Sequence, residues 1–214
     1  MNRVFDSQFQ RDRLILSPGE HAVSEEDVVL YTVLGSCVAV CLRDSIRGIS
    51  GMNHFMLPMP LPSSKFFSSD AGRFGLQAME LVINGMLKRG ATRPRLRAKV
   101  FGGGHVLSTG SRADKVPSSN CAFALEYLAA EGIPVLAQDL GGLRARKVSF
   151  LARTGEVLVH KLGAHHPPEV IAEERAYRTS LGAETRREHR VSQFLFDEPA
   201  PAVAAPVSDR SPRS

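Results

Sequence analysis

The chain has 214 residues, 43% of them hydrophobic and 23% charged, a mixture that excludes a collagenous or wholly disordered polymer. Lys and Arg number 27 against 22 Asp and Glu, and the resulting net charge of +5 permits an acidic partner without demanding one. Three cysteines, Cys37, Cys41 and Cys121, make no disulfide framework, and the uncharged apolar run at 28–42 is too short to cross a bilayer.

Taken in chain order, residues 1–15 are polar, carry Arg3, Asp6, Arg11, Asp12 and Arg13 without an apolar signal-peptide stretch, and are expected to form a poorly ordered arm. Val28 to Val33 and Val38 to Leu42 are short β-branched runs that predict buried strands. Leu76, Met79, Val82, Ile83, Met86 and Leu87 recur at helical spacing between Ser68-Ser69-Asp70 and Gly90, a capped amphipathic helix. Arg95 to Phe101 alternates, with Leu96, Ala98 and Val100 on one side and Arg95, Arg97 and Lys99 on the other, as a half-buried strand does. A second helix is predicted from about Asn120 to Glu131, ending at Gly132 before Pro134. Val135 to Ala137 is a further strand, and Lys147 to Ala152 with Glu156 to Leu162 flank a hairpin turn at Arg153-Thr154-Gly155. The fold class is therefore α/β or α+β, sheet layered with helices. A compositional break near Leu162 separates a domain at 16–162 from a polar, partly helical extension at 163–196. The Pro- and Ala-rich tail at 197–214 cannot bury a core and is expected to be disordered.

The densest chemistry lies in Leu34-Gly-Ser-Cys-Val-Ala-Val-Cys-Leu42 and Gly51-Met-Asn-His-Phe-Met-Leu-Pro58. Gly35 and Ser36 before Cys37 are turn residues, and backbone N–H groups at such a turn can bind a developing oxyanion. A nucleophilic Cys37 needs a nearby base, for which His54 is the candidate, and such activation predicts a low thiol pKa and preferential alkylation of Cys37. The plainer reading of any cysteine is a core residue, and Cys41 and Cys121 are read that way. Gly102-Gly103-Gly104 lacks the Gly-Lys-Ser/Thr ending of a phosphate loop and fits a tight turn better. Arg93, Arg95, Arg97, Lys99, Arg144, Arg146 and Lys147 could form a basic face for an acidic surface, or simply a solvated one. Nucleic acid is disfavoured as a partner, since there is no Trp and no aromatic interleaves with that cluster. His160, His165 and His166 have no Cys or carboxylate at ligand spacing and read as linker.

The Cys37 and His54 segments resemble those of the chemoreceptor glutamine deamidases, the CheD family. The likeness continues through Arg73-Phe-Gly75, Ala78-Met-Glu80, Lys99-Val-Phe-Gly-Gly-Gly104, Asn120, Glu131-Gly-Ile-Pro134, Asp139-Leu-Gly-Gly142, Arg146-Lys147 and Arg153-Thr-Gly155. The resemblance implies a layered α/β sandwich with a mixed sheet, as in other cysteine-dependent protein glutamine deamidases. It implies a cytoplasmic protein-glutamine glutaminase, an amidohydrolase of linear amides, acting on methyl-accepting chemotaxis receptors with Cys37 as nucleophile and His54 as general base and acid. No metal or other cofactor is implied, and no membrane insertion. The partners implied are receptor cytoplasmic domains and a chemotaxis phosphatase of the CheC type. A non-catalytic adaptor binding receptors or phosphatase is the alternative. The family's third group, a threonine six residues before the cysteine, falls here on Tyr31, with Thr32 one place off. A one-residue shift in a strand reverses the side chain, so the group that orients His54 is left between a bulge restoring Thr32 and a backbone carbonyl.

Overall fold

Two five-stranded sheets stack face to face, and helices cover one of them. The structure, a computed structural model, describes residues 1–106, 115–163 and 168–196, the side chains of 188–196 excepted. The first sheet runs in the order β1 (Asn2–Asp6), β2 (Arg11–Ile15), β4 (Val29–Leu34), β9 (Arg146–Leu151), β10 (Val157–Lys161). The second runs β3 (His21–Ser24), β6 (Ile49–Asn53), β5 (Val38–Asp44), β7 (Arg97–Gly102), β8 (Val135–Leu140). β2 pairs with β4 and β7 with β8 in parallel, and the other neighbours are antiparallel, which makes both sheets mixed.

β5 explains the layering. Val38, Val40 and Leu42 point to one side, into a core shared with α1 (Asp70–Leu87) and α2 (Val116–Ala130), while Ala39 and Cys41 point to the other, into the core between the sheets. A strand buried on both faces is a continuous apolar run, which is how Val38 to Leu42 reads. Ser69 caps α1 by accepting the N–H of Gly72 at 3.1 Å. Phe123 of α2 packs edge-on against Phe55 and Phe66 at 5.8 and 5.5 Å, and burying each such ring contributes about 1.5–3 kcal/mol.

The structure departs from the sequence expectations at several places. Residues 2–15 are not an unpaired arm but the strands β1 and β2, closed by five register pairs and held by ion pairs such as Arg3 with Asp12 at 2.7 Å. β1, at the edge, exposes four of its five side chains and β2 leaves four of its five half-buried, so the composition is polar although the backbone is paired. β7 starts at Arg97 because Pro94 shapes a short 3₁₀ turn at Arg93–Arg95. β3 and β6 carry no alternation long enough to announce them. The basic residues form no single face: Arg146 is buried with Asp139 at 2.7 Å, Arg95 bonds Asp44 at 3.1 Å, and Arg93 pairs with Glu131. The extension contains one long helix, α3 (Pro168–Phe196). His165, His166 and the 197–214 tail lie outside the described residues. Among the described residues no helix is long and apolar enough to cross a membrane.

Candidate active site

Cys37 sits just after the turn that joins β4 in one sheet to β5 in the other. The turn is tight because the triple glycine at 102–104 runs against its backbone. Gly103 and Gly104 donate N–H bonds to the carbonyls of Cys37 and Gly35, both at 2.7 Å. Gly102 adopts φ +119, and a Cβ there would lie 2.2 Å from the Cys37 carbonyl oxygen. The glycine run is thus a structural turn behind the cysteine. Asn120, at the start of α2 and fully buried, clamps the same turn: its Nδ2 donates to the Ser36 carbonyl at 2.9 Å and its Oδ1 accepts the Leu57 N–H at 2.8 Å.

His54 follows β6. The reciprocal backbone pair of Val38 and Phe55, at 2.9 and 3.0 Å, ties the residue after Cys37 to the residue after His54. The 19–20 loop holds His54 from the other side, through its N–H to Glu20 and its carbonyl to Gly19. The thiol of Cys37 and a ring nitrogen of His54 lie within 4.8 Å of each other, and both residues are buried.

The structure resolves what the sequence left open about Tyr31 and Thr32. β4 alternates regularly, with Leu30, Thr32 and Leu34 buried, while Tyr31 is half-buried beneath the Arg13 guanidinium at 4.4 Å. Thr32 Oγ1 lies 2.7 Å from His54 Nδ1 and 2.7 Å from the Leu16 carbonyl. A carbonyl only accepts, so the single hydroxyl proton goes to Leu16 and Nδ1–H donates to the hydroxyl, the one arrangement that satisfies both contacts. That leaves Nε2 as the bare nitrogen, and it is buried without a hydrogen-bond partner among the described residues. No bulge is involved. Strand parity between Thr32 and Cys37 does not hold, because the chain leaves the strand at Gly35-Ser36 before reaching the cysteine.

One site residue escaped sequence reading altogether. Glu174 of α3 is buried, and its carboxylate fills the turn. Oε1 accepts the N–H groups of Gly35 at 2.9 Å and Cys37 at 3.2 Å, and Oε2 accepts the N–H of Ser36 at 2.9 Å and its hydroxyl at 2.7 Å. Three converging N–H groups are an anion-binding nest. Its signal in the sequence was a carboxylate inside the stripe Ile171, Glu174, Tyr177, Leu181, masked by a segment whose other charges are solvated. Together Cys37, His54 and Glu174 could hold a metal ion by residue type, but both carboxylate oxygens are already directed at hydrogen donors.

The electrostatics follow from this burial. Burial first, and then the Glu174 carboxylate, push the Cys37 thiol well above its ordinary value. This corrects the expectation of a low thiol pKa, which considered His54 alone. Burial pulls His54 below its ordinary 6.5, against the opposing pull of Glu174 and the Leu16 carbonyl, so the imidazole is a neutral base at neutral pH. Cys41 is buried in the core between the sheets, as expected, and Cys121 is half-buried.

Fold and site together define a two-sheet, helix-covered protein that brings a thiol and an imidazole together beside an anion-binding turn. The family model described as CheD chemotactic sensory transduction matches residues 56–161. A protein of Bordetella parapertussis named "Probable chemoreceptor glutamine deamidase CheD" is 46% identical over 196 residues, covering 90% of this chain and 91% of its own length. Proteins with the same name from Methylobacillus flagellatus (45% identical, 85% and 90% covered) and Xanthomonas euvesicatoria pv. vesicatoria (48% identical, 84% and 88% covered) are similar to the same degree. The chain belongs to the CheD family.

Proposed function

We propose that this protein is a chemoreceptor glutamine deamidase, hydrolysing selected glutamine side chains of methyl-accepting chemotaxis receptors to glutamate and ammonia. The observation that carries the reading is the convergence of Cys37, His54 and the Gly35–Cys37 N–H groups at one buried turn, in a chain whose relatives bear that name. It is an amidohydrolase of linear amides working in the cytoplasm, where the receptor substrate is exposed.

His54 Nε2 takes the Cys37 proton as the thiolate attacks the amide carbon. The developing oxyanion takes the place of Glu174 Oε1, facing the N–H groups of Gly35 and Cys37, which stabilise charge as it forms. The imidazolium then protonates the departing ammonia and a thioester remains. Water, deprotonated by His54, opens the thioester, releasing glutamate and restoring the thiol. Thr32 holds the imidazole in the tautomer this requires. A CheC-type phosphatase is proposed as a second partner on the family resemblance alone.

The test is incubation of purified receptor cytoplasmic fragments with the protein, followed by peptide mass spectrometry for glutamine converted to glutamate, with Cys37→Ala in parallel. Conversion by the wild type and none by the variant is expected. Conversion by neither, with receptor binding intact, replaces the enzyme with a binding adaptor.

A further inference from the structure

The side chain that fills the turn is a glutamate, the product residue of glutamine deamidation, and it is borne by a helix of the same chain. Its carboxylate makes the contacts an acyl group would make there: one oxygen on the Gly35 and Cys37 N–H groups, the other on Ser36, within 4.8 Å of the nucleophilic sulfur and the imidazole. Among the described residues no Lys or Arg pairs with it, so the buried charge is satisfied by the donors of the site itself.

The approach of the helix is also provided for. A Cβ at Gly35 would lie 2.9 Å from Glu174 Oε2, and one at Gly19, where φ is +87, would lie 2.7–2.9 Å from the Tyr177 ring. Two glycines thus open the path for residues three apart on one helix face. Leu181, one turn further, is buried, so the seated stripe is Glu174, Tyr177, Leu181. The seat is incomplete. Between α3, α1 and the 18–20 loop lies a cavity of about 370 Å³ lined by Pro18, Phe74, Leu81, Tyr177, Leu181 and Glu184, among others. The opposite face, with Arg175, Arg186 and Arg187, is exposed. A helix held by one buried carboxylate and a sparse apolar stripe can leave at modest cost, and what it uncovers is the nucleophile.

We propose that α3 is a product-like pseudosubstrate built into the chain: Glu174 occupies the position of the glutamyl product, and a substrate glutamine, carried on one face of a helix, must displace it. This rests on the deamidase reading above and adds to it how the glutamine is presented and how the resting site is closed. The chain's own helix shows which geometry the site accepts, namely a side chain of glutamate length, with a bulky residue at i+3 and an apolar one at i+7.

Five proteins test it on receptor fragments: wild type, Glu174→Ala, Leu181→Asp, Glu174→Gln and Glu174→Gln with Cys37→Ala. A site competent in about a tenth of molecules loses that factor in apparent affinity, so Glu174→Ala is expected to raise kcat/KM about tenfold. Leu181→Asp, which unseats α3 without touching the turn, is expected to do the same. In Glu174→Gln the amide lies where the product carboxylate lay. Hydrolysis in cis, consuming water and releasing ammonia, then returns a glutamate at position 174, read by peptide mass spectrometry, while the double variant keeps its glutamine. Two results overturn the pseudosubstrate: unchanged or lower activity of both Glu174→Ala and Leu181→Asp, or an introduced glutamine that persists at position 174 in a protein active on receptors. Loss of the deamidase reading looks different: no receptor conversion by wild type or any variant, and no conversion at position 174.

Discussion

The Thr32 hydroxyl stands 2.7 Å from Nδ1 of His54 and donates its own hydrogen bond to the Leu16 carbonyl, so a strand of one sheet sets the tautomer of an imidazole carried by the other. Thr32 is a positioning residue. Replacing it by valine keeps the shape and removes the nearer acceptor, leaving Nδ1–H only the long contact to the Leu16 carbonyl at 3.4 Å, at a cost of up to about 1–3 kcal/mol, or about 5- to 150-fold if felt in the transition state. Thr32→Val is therefore expected to lower kcat within that range with KM little changed, and Thr32→Ser to recover most of it. Full activity in Thr32→Val with a loss in Thr32→Ser would show that the methyl group, and hence packing, is what matters.

Thiol reactivity offers a separate reading of the site. Burial raises the thiol pKa at Cys37, Cys41 and Cys121, and at Cys37 the Glu174 carboxylate raises it further. In the wild type the half-buried Cys121 is expected to react first with iodoacetamide. Removing the carboxylate in Glu174→Ala lowers the Cys37 thiol pKa and opens access, so Cys37 alkylation accelerates and its pH profile moves down. The rates at Cys41 and Cys121 stay as they were. Acceleration at all three would mean general loosening of the fold instead.

The fold was legible wherever one residue pattern had one cause. α1 announced itself through its periodicity and its Ser69 cap, and β5 through an apolar run buried on both faces. β1 and β2 stayed hidden because a ribbon at the margin of a sheet pairs through backbone while its side chains remain polar. At the site, Gly35 and Ser36 before Cys37 made the cysteine a candidate with His54 as its base, and the resemblance strengthened the pair. Thr32 could not be assigned, because strand parity was counted across a turn. Glu174 was missed because it lies 137 residues from Cys37 in a segment dominated by solvated charge. Its place in the stripe Ile171, Glu174, Tyr177, Leu181 was the local signal, and the solvated charges around it masked that stripe.

Stability should carry the signature of the buried imidazole. The folded protein holds His54 below its ordinary value of 6.5, through burial, despite Glu174, Glu173 and Glu20 acting in the opposite direction. Below 6.5 the unfolded chain then binds the proton that the folded one refuses, so stability present above that pH is lost as pH falls towards the depressed value. Urea midpoints across this window are expected to fall more steeply for wild type than for His54→Asn. Parallel slopes would remove His54 from the account of acid sensitivity.

Arg146 stands opposite Leu34, at the end of the sheet where the chain turns towards Cys37. Its side chain is 1% exposed, bonds Asp139 at 2.7 Å and also reaches the Gly141 carbonyl. Asp139 keeps Lys161 at 3.0 Å and partial exposure, so loss of the arginine strands no fully buried charge. Arg146→Met is expected to cost about 2–4 kcal/mol in urea unfolding through lost charge-assisted bonds. A shift under about 1 kcal/mol, the ordinary size of a surface change, would show that the methionine repacks the space at no net loss.

The glycine run behind the cysteine gives the sharpest separation of geometry from stability. In Gly102→Ala the new methyl lies 2.2 Å from the Cys37 carbonyl oxygen, and φ is +119, so backbone must move and the turn carrying Cys37 moves with it. A displacement near 1 Å at a reacting group costs about a hundredfold in rate, and a loss of that order in kcat is expected. Gly90→Ala is the control: it also has positive φ, +94, but a Cβ there meets nothing within 4 Å. It should carry only the strain of an unfavourable backbone, about 1 kcal/mol or somewhat more in unfolding, with deamidation unchanged. If both variants lose stability alike and both keep full activity, the turn at Cys37 tolerates displacement, and the close backing by Gly102 serves folding alone.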